Sequence, residues 1–102
     1  MLVGVVEVTL SLAGNRSLKD KRKVVSSLLA RVKARFNVSA AEVDAQNNHE
    51  LAVLGFTLCG SQGQILNGVI SHLLNFIEDE AEAEVVDSNQ DCVAWTEAGD
   101  WG

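Results

Sequence analysis

The amino-acid sequence predicts an α+β domain built from a four-stranded antiparallel sheet with two helices on one face. Three observations carry this expectation. Apolar residues alternate with period two from Leu2 to Leu12, two stretches with helical apolar spacing follow capping signals at Ser17 and Ser61, and the segments succeed one another as β-α-β-β-α-β. A chain of 102 residues, 47% apolar and 22% charged, suits one domain with its own modest core.

In the first strand Leu2, Val6, Val8, Leu10 and Leu12 fall on one side with Gly4, and Val3, Val5, Glu7, Thr9 and Ser11 on the other. Ala13-Gly14-Asn15 is a turn. Ser17 with Asp20 three residues on is a variant capping box, and the helix it opens runs to about Phe36. Its apolar arc holds Leu18, Val25, Leu28, Leu29, Val32 and Phe36, and Asn37 is placed to end it in a left-handed conformation. Val38 to Ala45 reads as a second strand, with Ala41, Val43 and Ala45 on one face and Ala40, Glu42 and Asp44 on the other. A polar connection, Gln46 to Glu50, leads into a more apolar and therefore central strand, Leu51 to Cys59. Ser61 with Gln64 caps a second helix over about Gln62 to Ile77, whose arc runs from Ile65 to Ile77. A fourth strand starts at Glu84 and extends towards Val93.

Right-handed crossovers order these strands 4-1-3-2, the ferredoxin-like β-α-β-β-α-β plait. One domain over residues 1–95 is expected, with a mobile acidic tail over 96–102 that contains Trp101; Trp95 is placed to finish the last strand. The open sheet face is expected to carry Val3, Val5, Glu7, Glu42, Asp44, Leu51, Val53, Thr57 and Cys59. Its apolar members need a cover, and a homodimer through that face or an edge strand would supply one.

Several classes of protein are disfavoured. No apolar run reaches the roughly 20 residues of a membrane span, so no membrane partner is expected. Met1 leads straight into a strand with no cationic segment before it, and Cys59 and Cys92 form no disulfide framework; both features point to a cytoplasmic protein. No serine or cysteine has the context of a nucleophile elbow or triad. Gly60-Ser61-Gln62-Gly63 lacks the lysine and spacing of a P-loop, and His49 and His72 lack metal-ligand spacing to a cysteine. The reading is therefore non-enzymatic, with no catalytic residue, metal or cofactor.

The charge is segregated. The chain has 8 basic and 14 acidic residues, a net −6. All eight cations lie between Arg16 and Arg35, with Asp20 the one acid among them, so that stretch carries +7. Nine acids fall between Glu78 and Asp100. Cations near a helix N-terminus oppose the helix dipole, each by about 0.3–1 kcal/mol when exposed. Arg16, Lys19, Lys21, Arg22 and Lys23 nevertheless crowd there, and Lys33 continues an outward stripe with Lys19, Arg22 and Lys23. These six are the candidate nucleic-acid or anion site, because cations around free helix N–H groups attract phosphate. The competing structural explanation is a solvated face neutralised by Glu42, Asp44 or the acidic C-terminal segment. Base stacking on the sheet is not expected, since its open face offers valine, threonine and cysteine instead of aromatics.

Gly4-Val5, the run Arg16-Ser17-Leu18-Lys19-Asp20-Lys21-Arg22, Arg35-Phe36-Asn37-Val38-Ser39 with Ala41-Glu42-Val43-Asp44, and Ala52-Val53-Leu54-Gly55 together resemble the YlxP-like family, small bacterial proteins of unknown function (domain of unknown function 503). The resemblance covers about residues 1 to 90. It implies the ferredoxin-like fold and a cytoplasmic bacterial protein. It also implies a link to translation, because the family's genes often neighbour those of transcription, translation-initiation and ribosome-binding factors. Three functions are compatible with these residues. The leading one is an RNA- or ribosome-associated binding protein using the first helix. The second is a dimeric module that binds an anionic metabolite, and the third is a metal-dependent enzyme using Glu42, Asp44 and His49.

Overall fold

The computed structural model describes residues 1–96. The expected tail, including Trp101, otherwise lies outside the described residues. The elements are β1 (Leu2–Ser11), α1 (Leu18–Arg35), β2 (Ser39–Asp44), β3 (Leu51–Gly60), α2 (Gly63–Glu80) and β4 (Glu84–Ala94). The sheet order is β2-β3-β1-β4, the expected order read from the other edge. All neighbouring strands are antiparallel, and the fold is the ferredoxin-like plait.

β1 occupies the centre because its alternation lets one face pack against both helices while both edges are paired. It runs against β3 from Leu2↔Gly60 to Ser11↔Leu51, and against β4 from Leu2↔Ala94 to Ser11↔Glu84. Val6, Val8 and Leu10 of β1 meet Ala52, Leu54, Phe56 and Leu58 of β3 in the buried layer. The helices close that layer with Val25, Leu28 and Val32 of α1 and Leu66, Ile70, Leu73 and Ile77 of α2, which follow the helical repeat. Trp95 continues β4 past its last residue by donating its backbone N–H to the Met1 carbonyl at 2.8 Å.

Several local expectations are corrected. Phe36, extended at φ −122, ends α1. Asn37 is not left-handed; among the described residues Ala45, at φ 58, is the one non-glycine with positive φ. Gln62, not Ser61, stands at the N-cap of α2, with no side-chain hydrogen bond to the helix. α2 runs on through Glu78, Asp79 and Glu80, whose polarity is tolerated because those side chains are exposed. Ile65 of the expected apolar arc is exposed as well.

The largest correction concerns β2. Ala40 is buried and Glu42 half-buried on the helix side, while Ala41 and Val43 turn to the open face. The apolar contrast of this strand, Ala41, Val43 and Ala45 against Glu42 and Asp44, points the opposite way to the observed register. Tertiary packing decides it instead. An irregularity between Glu42 and Asp44 in the β2–β3 pairing leaves Val43 as an extra residue, and its side chain lies across Gly55. The open face therefore keeps Val3, Val5, Glu7, Leu51, Val53, Thr57 and Cys59 but loses Glu42.

Two strand glycines allow close approach. A Cβ on Gly4 would stand 2.9 Å from Leu58 Cδ2 and 3.1 Å from Ile70 Cδ1, inside the core. A Cβ on Gly55 would stand 2.8 Å from Val43 Cγ1, but Val43 is 47% exposed and free to turn away. Gly4→Ala is therefore expected to lower the unfolding free energy in urea by about 2 kcal/mol through overpacking. Gly55→Ala should cost less than half of that. Equal losses would mean that the α2–β1 contact is looser than described.

Candidate functional site

Ser17 begins α1 in an extended conformation, and its Oγ accepts a hydrogen bond from the Asp20 amide at 3.1 Å. The expected cap is thus present, and it fixes how α1 leaves the loop after β1. From there Lys19, Arg22, Lys23 and Lys33 project outward and Arg16 precedes the cap; all five are exposed. Among the described residues none of the five is in an ion pair. Lys19 to Lys33 spans about 21 Å of helix.

Lys21, the sixth residue of the expected anion site, is not on this surface. It is 1% exposed, and its ammonium points into the protein. Nζ donates to the carbonyl oxygens of Ala45 and Asn48, each at 2.7 Å. It also forms an ion pair with Glu42 Oε2 at 2.7 Å, a contact set by charge and not by directed hydrogen-bond geometry. Two carbonyls and the charge of the Glu42 carboxylate together offset the cost of burying the ammonium. A signal was present in the sequence: Lys21, Val25, Leu28 and Val32 share one face at helical spacing, so Lys21 continues the buried stripe.

The remaining cations sit beside α2. Arg31 Nη1 meets Glu80 Oε2 at 3.0 Å and the Glu80 carbonyl at 3.2 Å. The Arg35 guanidinium carbon stands 5.3 Å from the centre of the Phe76 ring, within cation–π range. Phe36 meets the same ring edge-on, with centroids 5.5 Å apart and planes at 74°. Sequence periodicity treated Phe36 and Phe76 as core residues and missed this cluster, since pairing them depends on how α1 crosses α2.

Glu42, Asp44 and His49 do not converge. Glu42 is committed to Lys21, Asp44 Oδ1 accepts from the Ala45 amide at 2.7 Å, and His49 Nδ1 lies 2.8 Å from the Asn15 carbonyl. Among the described residues no group of three His, Cys, Asp or Glu side chains is placed to hold a metal ion. The two cysteines are free thiols; Cys59 is exposed and Cys92 half-buried against the core.

These features define a small ferredoxin-like plait with a cationic outer helix. Its sequence matches the model of a protein family of unknown function, DUF503, over residues 3–90, and the chain belongs to that family. It is 29% identical over 83 residues to the uncharacterized protein YlxP of Bacillus subtilis (strain 168), covering 81% of this chain and 90% of that one. Among solved structures, protein YJCS from structural genomics matches with a TM-score of 0.51 at 12% identity, covering 90% of this chain and 99% of that one. The de novo designed protein Foldit4 matches with a TM-score of 0.50 at 11% identity, covering 93% and 98%. At such identities the likeness shows the fold alone.

Lys21→Met keeps the aliphatic stem but strands the Glu42 carboxylate and two carbonyls. It is expected to lower stability by about 3 kcal/mol, as loss of one member of a buried ion pair does. Lys19→Met, on the exposed face, should stay within about 0.5 kcal/mol of wild type. Chemical denaturation compares the two, and similar effects would refute the assignment of Lys21 to the core.

Proposed function

We propose that this protein is a non-enzymatic, RNA- or ribosome-associated binding protein that lays the outer face of α1 against phosphate. One observation supports the reading above the others: Arg16, Lys19, Arg22, Lys23 and Lys33 are exposed together, with no acid of the described residues in an ion pair with them. The competing explanation was neutralisation by Glu42, Asp44 or the acidic C-terminal segment; of these Glu42 is used by Lys21, and Asp44 is in no ion pair among the described residues. Exposed cations at a helix N-terminus raise the energy of the isolated helix, and an anionic partner would reverse that cost.

The shape favours an extended polyanion over a small metabolite. Small-molecule sites enclose most of their ligand's surface, whereas these cations stand on the outer face of a helix. The net charge of −6 repels polyanions at long range, so attraction depends on this local patch at salt concentrations that shorten the field to about 8 Å. No helix among the described residues is long and apolar enough to cross a membrane, and a cytoplasmic setting beside the translation apparatus fits the reading.

The test is co-sedimentation with ribosomal subunits at low and near-physiological salt, together with titration of single-stranded RNA. Lys19/Arg22/Lys23→Ala should abolish co-sedimentation at near-physiological salt. Each single replacement should flatten the plot of log affinity against log salt by about one unit. Lys21→Met, if folded, should leave that slope unchanged. Wild-type protein that neither sediments with subunits nor binds RNA would refute the proposal.

A further inference from the structure

α1 and α2 leave an open groove beside the last turn of α1. Phe36 and Phe76 form its aromatic wall, Arg35 lies over the Phe76 ring, and His72, Asn75 and Asp79 line the rim. We propose that this groove receives one unstacked nucleobase of single-stranded RNA, and that it prefers a base presenting an exocyclic amino group. The inference rests on the RNA reading of α1 and adds to it a site with base preference.

The chemistry of the groove matches a base better than a phosphate. Unstacked bases in RNA lie on aromatic rings and on arginine planes, and both are present here. Phe36 meets the Phe76 ring edge-on and the Arg35 guanidinium lies over that ring, so the stacking surface offered to a base is the exposed side of Arg35, held in place by Phe76. Glu80 is matched by Arg31. Asp79, also at the rim, is exposed and in no ion pair among the described residues. A carboxylate accepts from the amino group of cytosine and opposes the carbonyl that uracil presents at the equivalent position. The same carboxylate repels phosphate, which sets the direction of the ligand: base inward, backbone towards Arg35 and solvent. The ferredoxin-like sheet, where RNA-recognition motifs carry stacking aromatics, shows Val5, Val53, Thr57 and Cys59 on its open face. Here the aromatics and the cations share the helix side.

The test uses fluorescence anisotropy of end-labelled oligocytidylate, oligouridylate and an abasic strand of equal length, at near-physiological salt. Oligocytidylate is expected to bind at least about fivefold more tightly than oligouridylate, consistent with one discriminating polar contact. Asp79→Asn, at an exposed position, should erase that preference while leaving the salt slope unchanged. Phe76→Leu should weaken oligocytidylate binding roughly tenfold and leave the abasic strand unaffected. Arg35→Gln, also exposed, provides a second variant that does not touch the core.

Equal affinity for all three strands, with Asp79→Asn and Arg35→Gln unchanged and Lys19/Arg22/Lys23→Ala still flattening the salt slope, would overturn the groove and leave the phosphate reading intact. Failure of every strand to bind would overturn the groove, and the phosphate reading of α1 with it where the protein also fails to sediment with ribosomal subunits. Binding of cytidine monophosphate by a protein indifferent to the strands would assign the groove to a free nucleotide and refute the RNA version.

Discussion

The buried ammonium of Lys21 organises the end of the molecule where the cations gather. Its three contacts reach β2 through Glu42 and the β2–β3 connection through Ala45 and Asn48. One side chain thus joins α1 to two other segments. Ala45 adopts φ 58, a conformation unfavourable for a residue with a Cβ. Its carbonyl is held by Lys21 and by the Asn48 amide at 3.0 Å, and its amide by Asp44 at 2.7 Å. The strained turn and the buried charge therefore depend on each other, since each satisfies polar groups that the other leaves open. The position of the α1 N-terminus, and with it the direction of Lys19, Arg22 and Lys23, follows from this joint.

The two sides of the sheet have opposite chemistry. The helix side presents the exposed cations of α1 and the Phe36–Phe76 pair. The open side presents Val5, Val43, Leu51 and Val93 with Glu7, and the acidic edge strand β4 adds Asp87 and Asp91. Acids on an exposed edge strand discourage pairing with other chains, a common protection for unpaired backbone. On the helix side the cations belong to α1, while α2 ends in the exposed acids Glu78, Asp79 and Glu80, so attraction for a polyanion is confined to α1.

The fold itself carries little functional information. A de novo designed protein shares it at 11% identity, so the plait can arise from patterning alone without a biological ligand. What distinguishes this chain is where it breaks the rules of such patterning. Cations stand where the helix dipole disfavours them, a lysine stands in an apolar stripe, and α2 ends in Glu78, Asp79 and Glu80 where basic residues would be favourable. One of these breaks is structural, and it is the lysine. Among the described residues no acid is in an ion pair with Arg16, Lys19, Arg22, Lys23 or Lys33.

The element order, the central position of β1, the cap at Ser17 and nearly all of the core were determined by the sequence itself. Strand alternation and helical spacing are local properties, and a residue such as Phe56 or Leu28 is assigned to the core by its neighbours a few positions away. Only the tertiary structure decided which face of β2 turned inward, because the local contrast favoured the Val43 face and the ion pair of Glu42 with the buried Lys21 overrode it. Only it separated Lys21 from the cations around it. Burying an ammonium is unfavourable unless acceptors enclose it, and two of those acceptors lie 24 and 27 residues further along the chain. The pairing of Phe36 with Phe76 was decided in the same way, by the crossing of two helices whose separate sequences contain no record of it.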